Sequence, residues 1–244
     1  MDVSAYLDAV TGRVRSELGK DLTAVTLVGS AGAGWFEAEA SDLDVAVVVK
    51  RPLAADRARS LAAGVSHSRL PCPARKLELV VYSRAALAKP GPTVAFELNL
   101  NTGRGAADHV GLDPGAEAAH WFLLDLSIAR ERSTPLYGPP LRSLLGEIPR
   151  PLVLDALRAA LDWYSTSEPD SVSTVLAACR TWYYAEEGEW ASKRDAAEWA
   201  AGRLPDPRAV HRAVTLRGGG TAEWPSEPEV AEVVAQARAA LDAA

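Results

Sequence analysis

Two aspartates, Asp42 and Asp44, flank Leu43 at the start of the apolar run LDVAVVV. Side chains alternate faces along a strand, so residues two apart point the same way. The two carboxylates therefore share one face, while Leu43, Val45 and Val47 take the other, against a core. Neighbouring like charges repel, and either would be costly if buried without a partner. A divalent cation removes that cost. Hard oxygen donors suit Mg²⁺, which takes one or two protein carboxylates and keeps water or substrate phosphates in its other positions. A third acid, Glu78, stands alone among the carboxylates of KLELVVYS, flanked by Leu77 and Leu79. If its strand pairs beside that of Asp42 and Asp44, Glu78 joins the metal face. There it could bind a second ion or act as general base for a substrate hydroxyl.

Gly29-Ser30 supplies the other half of the chemistry. It ends an apolar run and opens a turn that also holds Gly32 and Gly34. Glycines let backbone N–H groups approach phosphate oxygens, and a serine hydroxyl adds a donor. Such an assembly would hold a nucleoside triphosphate by its phosphates, with metal bridging to the carboxylates. Taken singly, these signals are weak: an Asp-x-Asp commonly caps a turn, and an isolated Glu often faces solvent on an edge strand. The combination is specific: strand, Gly-Ser, spacer, Ser-Asp-Leu-Asp (with Ser41 at its head), strand, then a later strand with one acid.

The elements that must position these groups follow from periodicity. Leu7, Val10, Val14 and Leu18 form the stripe of an amphipathic helix over residues 4–19. Residues 24–28, 43–49 and 77–82 read as strands, and residues 53–64 as a helix. Residues 93–113 leave room for one more short strand, TVAFELNL. From residue 116 the pattern is helical, with helices expected at 116–132, 152–164, 172–187, 193–203, 206–215 and 227–243. Proline and glycine punctuate them, among others at Pro135, Pro149, Pro151, Pro205 and Gly218–Gly220. The shift in composition and the sequence IPRP place a boundary near residue 148. The expected organisation is an α+β sheet domain with flanking helices over 1–147, followed by an all-helical domain over 148–244.

Composition narrows the partners. Net charge is −6 over 244 residues, which disfavours a nucleic-acid backbone and suits a small cationic substrate. No apolar run is long enough to span a bilayer, so no membrane role is expected. The start of the chain has neither a basic segment nor an unbroken apolar stretch, so no signal peptide is expected. Two cysteines, Cys72 and Cys179, are too few for a disulfide framework, and His67, His109, His120 and His211 form no metal-ligand spacing. A reducing cytoplasm and a monomeric chain are the working expectations.

The segment LVGSAGAGWFEAEASDLDVAVVV, residues 27–49, resembles the signature of the DNA-polymerase-β-like nucleotidyltransferase superfamily. The helical segment VLAACRTWYYAEEGEWASKRDAAEWAAGRLP, residues 175–205, resembles the C-terminal domain of spectinomycin/streptomycin adenylyltransferases. The resemblance implies an N-terminal nucleotidyltransferase domain and a helical domain that closes on nucleotide and substrate. ATP is then the co-substrate and Mg²⁺ the cofactor. Asp42, Asp44 and Glu78 would be metal ligands, with Glu78 also the catalytic base. Gly29, Ser30 and Ser41 would serve the phosphates or orient their loop. Arg180 and Lys193, thirteen residues apart, match the family's two triphosphate contacts. In LDWYSTSEPDS, Trp163 and Glu168 match the tryptophan and acid that face streptomycin, with Asp170 a rival for the acid. A tryptophan face and a carboxylate suit a guanidinium-bearing sugar. The tail VTLRGGGTAEWPSE lacks the tyrosine that the resemblance places beside the nucleotide base. Two other readings use the same residues: transfer to a different small hydroxylated metabolite, or a non-catalytic nucleotide-binding regulator.

Overall fold

The computed structural model describes residues 2–38, 40–105, 107–169 and 171–244. It divides into two compact units, Met1–Pro149 and Arg150–Ala244.

The first unit is built on a six-stranded mixed sheet. In chain order its elements are α1 (Val3–Leu18), β1 (Leu22–Val28), α2 (Gly29–Gly32), β2 (Leu43–Val49), α3 (Ala55–Val65), β3 (Lys76–Ser83), α4 (Arg84–Ala88), β4 (Leu98–Gly103), β5 (His109–Gly111), α5 (Ala119–Glu131) and β6 (Thr134–Tyr137). The strand order is β5-β4-β3-β2-β1-β6. β2 and β3 pair in parallel, and the other neighbours are antiparallel. A parallel pair needs a crossover, and α3 provides it. The apolar face of the sheet meets α1 and α3. Tyr6, Val10, Val14 and Leu18 from α1, and Leu61 and Val65 from α3, close over Val25, Leu43, Val45, Val47, Leu77, Leu79 and Leu100. α1 starts where the Asp2 carboxylate accepts the Ala5 N–H at 2.8 Å. Arg57 of α3 ties the end of α1 to the sheet, donating to Asp21 Oδ2 at 2.7 Å and to the carbonyls of Glu17 and Leu18, both at 2.9 Å.

Three features of this unit differ from the sequence-based expectation. The strand foreseen over TVAFELNL lies further along, at Leu98–Gly103. Residues 93–97 instead lead into it, with Phe96 packed on Phe122 at a ring-centroid distance of 4.8 Å. β5 is a three-residue edge strand, too short to leave an alternating pattern. β6 contains Pro135, read in sequence only as punctuation. It lies at the sheet edge, where a missing N–H is tolerated.

The second unit is helical: α6 (Arg150–Ser167), α7 (Val172–Glu187), α8 (Lys193–Ala201), α9 (Arg208–Arg217) and α10 (Glu227–Ala243). α7 is its axis, burying Val175, Leu176, Cys179, Trp182 and Tyr184 against the helices around it. Arg150 fastens the start of α6 by donating to the Ala185 carbonyl at 2.8 Å and the Ala244 carbonyl at 3.1 Å. A capping box of Ser226 and Glu229 begins α10. Among the described residues, no helix is long and apolar enough to cross a membrane.

Candidate active site

The parallel register of β2 and β3 sets Asp44 directly beside Glu78, and Leu43 beside Leu77. Neighbouring strands lie about 4.8 Å apart, so level residues project side by side. The leucines enter the core and the acids take the opposite face. Asp42, two residues before Asp44, reaches the same cluster. The ammonium of Lys76 links them: it is paired with Glu78 Oε1 and lies 3.8 Å from Asp42 Oδ2. Arg75 Nε is 3.6 Å from Asp42 Oδ1.

The Gly29-Ser30 turn lies against these acids. Val28, the last residue of β1, pairs with Asp44 across the antiparallel ladder. Gly29 then turns the chain with φ +58°, and a Cβ at this position would fall 1.9 Å from Asp44 Oδ2. Only glycine lets the backbone approach the carboxylate so closely. Gly32 is similarly constrained, since a Cβ there would meet the Leu27 carbonyl oxygen at 2.1 Å. The Trp35 N–H donates to the Ser30 carbonyl at 2.7 Å, folding the turn back on itself. Ser41 is buried, and its hydroxyl accepts the Glu37 N–H at 3.0 Å. That bond braces the loop that leads into Asp42.

Charge crowding defines the electrostatics. Burial pushes the Asp44 carboxyl well above the ordinary carboxylate range. The charges of Glu78, Asp125 and Asp42 push it further, and Lys76 pulls it partly back. Burial lowers the pKa of Lys76, but Glu78, Asp42 and Asp44 outweigh it and hold the ammonium firmly charged. Among the described residues, no group of three or more His, Cys, Asp or Glu side chains is arranged to hold a metal ion. The donor chemistry at Asp42 and Asp44 still fits a divalent cation. Two hard carboxylates suffice when a triphosphate supplies further oxygens, and the crowding at Asp44 is the strain a cation would relieve.

Sequence reading overlooked Lys76, Asn101 and Asp125. Lys76 lies two residues before Glu78, so strand alternation alone places it on the acidic face. Asn101 of β4 pairs with Glu78 in register. Asp125 is the lone acid in the apolar stretch AHWFLLDLSIA of α5, a signal of the same kind as Glu78.

The remaining predicted residues lie in the helical unit. Arg180 is half-buried on α7, its guanidinium 5.8 Å from the centre of the Trp190 ring. Lys193 is the first residue of α8, after the Ser192 cap whose hydroxyl accepts the Asp195 N–H at 2.9 Å. A cation at a helix N-terminus is disfavoured unless an anion comes near. Trp163 on α6 is 39% exposed and meets Tyr164 edge-on at 5.2 Å, so it is not a core residue. Glu168 follows α6, and its carboxylate accepts the Ser171 hydroxyl at 3.0 Å, bracing the start of α7. Asp170 lies outside the described residues.

Comparison with known proteins agrees with this architecture. Residues 143–241 match the family model described as aminoglycoside adenylyltransferase, C-terminal domain. An aminoglycoside (3'')(9) adenylyltransferase of Shigella flexneri is 29% identical over 214 residues, covering 84% of this chain and 80% of the relative. One of the same description from Rhizobium radiobacter is 38% identical over 90 residues, 34% of this chain and 33% of the relative. The crystal structure of a spectinomycin adenyltransferase from Enterococcus faecialis, solved with ATP and spectinomycin, shares the fold with a TM-score of 0.76 and 20% identity. The match covers 99% of this chain and 100% of that one. With an acidic sheet face beside a glycine turn and relatives of this kind, the chain is a nucleotidyltransferase of α+β fold. Its helical unit matches the C-terminal domain model of the aminoglycoside adenylyltransferases, and the chain is similar along most of its length to aminoglycoside (3'')(9) adenylyltransferases.

Proposed function

We propose that this protein transfers AMP from ATP to a hydroxyl group of an aminoglycoside-type antibiotic, spectinomycin or streptomycin, in a Mg²⁺-dependent reaction that releases pyrophosphate. The observation that carries the reading is the level pairing of Asp44 and Glu78 on one face, with the Gly29 backbone lying against Asp44.

In this reading, residues 1–147 form the nucleotidyltransferase domain and residues 148–244 the domain that completes nucleotide and acceptor binding. Mg²⁺, held by Asp42 and Asp44, would neutralise charge on the triphosphate. The turn at Gly29 and Ser30 receives the phosphates, and Ser41 keeps the loop before Asp42 in shape. Glu78 accepts the proton of the acceptor hydroxyl as its oxygen attacks the α-phosphorus in line. The new O–P bond forms as the bond to the pyrophosphate oxygen breaks. Arg180 and Lys193 supply positive charge to the triphosphate. Trp163 offers an exposed aromatic face to a cationic sugar, with Glu168 or Asp170 as its acid. The acidic net charge draws in a polycationic acceptor. Dependence on ATP places the reaction in the cytoplasm, and an adenylylated antibiotic no longer fits its target, which gives resistance.

The test is pyrophosphate release from MgATP across a panel of spectinomycin, streptomycin, unrelated aminoglycosides and small polyols. Acceptor-dependent release with one of the two named antibiotics is expected. Glu78→Gln should lower kcat by about 10²–10⁴, the usual contribution of a general base. Full activity in that variant would remove Glu78 from the role of base. Turnover confined to polyols would shift the acceptor to another hydroxylated metabolite.

A further inference from the structure

The acidic face carries a cation of its own, and the surrounding residues are built to hold it. Lys76 and Gly103 face each other across the β3–β4 ladder. A Cβ on Gly103 would come within 2.7 Å of Lys76 Cβ and 2.8 Å of the Arg75 carbonyl oxygen, so the glycine makes room for the lysine stem. The ammonium then reaches three oxygens: Glu78 Oε1, Asn101 Oδ1 at 3.3 Å and Asp42 Oδ2 at 3.8 Å. Asn101 is oriented for this contact, because its Nδ2 donates to Asn99 Oδ1 at 3.2 Å and leaves Oδ1 for the lysine.

We propose that Lys76 is a tethered counter-cation that fills the Glu78 side of the carboxylate cluster, so that divalent ions enter through Asp42 and Asp44 while Glu78 is reserved as proton acceptor. Lys76 is thus a positioning residue. It fixes the Glu78 carboxylate and repels a divalent ion that would otherwise be shared between Glu78 and the aspartates. The inference rests on the functional reading above and adds to it a division of labour among the three acids. In the nucleotide-free protein, divalent ions should therefore bind weakly, and tighten when triphosphate oxygens arrive.

Direct binding of Mn²⁺ to the full-length, nucleotide-free protein, followed by the loss of the free-ion electron paramagnetic resonance signal, tests this without any turnover. Lys76→Met keeps the stem and removes the charge. It should bind Mn²⁺ at least about tenfold more tightly, the scale on which one nearby charge alters ion binding. Lys76→Arg keeps the charge and should stay near wild type. Lys76→Met combined with Glu78→Gln should lose the gain, because the extra affinity comes from the freed Glu78. Lys76→Gln replaces Lys76→Met if circular dichroism shows that the latter fails to fold. Unchanged affinity and stoichiometry in the uncharged variant would overturn the inference, as would an equal gain in Lys76→Arg. Failure of the wild type to release pyrophosphate from MgATP would instead strike the functional reading and leave the binding result to stand alone.

Discussion

The contact between Gly29 and Asp44 supports a sharp quantitative expectation for Gly29→Ala. The backbone there has φ +58°, a region that costs an L-residue roughly 1–2 kcal/mol. The added methyl would also overlap Asp44 Oδ2 at 1.9 Å, so the carboxylate or the end of β1 must move by roughly 1 Å or more. Misplacement on that scale costs on the order of 10²-fold in rate when it affects positioned reacting groups. Gly188→Ala is the control. Its φ is +73° and a Cβ there meets nothing within 4 Å, so it carries the backbone cost without disturbing a carboxylate. The assay is pyrophosphate release under saturating MgATP and acceptor, beside thermal melts of both variants. Both should melt a few degrees below wild type, with Gly29→Ala the lower. Only Gly29→Ala should lose about 10²-fold in kcat. If Gly29→Ala retains kcat within about twofold of wild type, Asp44 does not need the position it occupies here, and its catalytic placement is wrong.

Asp44→Asn should raise the melting temperature in metal-free buffer at neutral pH while abolishing turnover. The folded-state pKa of Asp44 lies above the unfolded value, so its favourable contribution is complete below the unfolded pKa and fades as pH rises through the folded one. Melting temperature should therefore fall with rising pH more steeply in wild type than in Asp44→Asn, and identical slopes would refute the crowding. Burial pushes the Cys179 thiol up to about 12 from an ordinary 9.0. Native protein at pH 8 should leave it unlabelled by a disulfide reagent that reacts fully after denaturation. The stability owed to the buried neutral thiol should persist below its unfolded pKa and be lost as pH climbs towards 12. Arg180→Ala and Lys193→Ala should each raise KM for ATP by about tenfold or more, as expected for a lost charged hydrogen bond. A KM effect confined to the acceptor would reassign both residues.

Much of the site was legible because its signals are local. The alternation around Asp42 and Asp44, and around Glu78, is a property of a few consecutive residues, and the core leaves the chain no other way to face them. The helices of the second unit also follow their sequence patterns closely, α7 and α10 at the expected residues. What sequence missed depends on pairing between distant segments. Asn101 becomes part of the acidic face only through the β3–β4 register. β6 forms only because β1 offers it an edge, which overrides the warning given by Pro135. The resemblance implies a ligand role for Glu168, while the hydrogen bond its carboxylate accepts from Ser171 depends on the local chain path and leaves no mark in the sequence. Lys76, two residues before Glu78, obeys the same local alternation and is legible from it.

The register that creates the site is enforced by the core. Because strand side chains alternate strictly, a one-residue slip of β3 against β2 would turn Glu78 into the core and Leu77 and Leu79 out of it. Leu77 and Leu79 are fully buried, as are Leu43 and Val47 on β2, so that slip would expose large apolar side chains and bury a charge. Each fully buried aliphatic side chain is worth about 1.5–3 kcal/mol. The leucines on one face thus hold the carboxylates level on the other. The crowding of Asp42, Asp44 and Glu78 would drive the strands apart if they were free, and here it is borne by the packing of α1 and α3 behind the sheet. Such an arrangement stores repulsion that a bound cation can release. Ion binding should therefore raise the stability of the first unit as well as enable its chemistry.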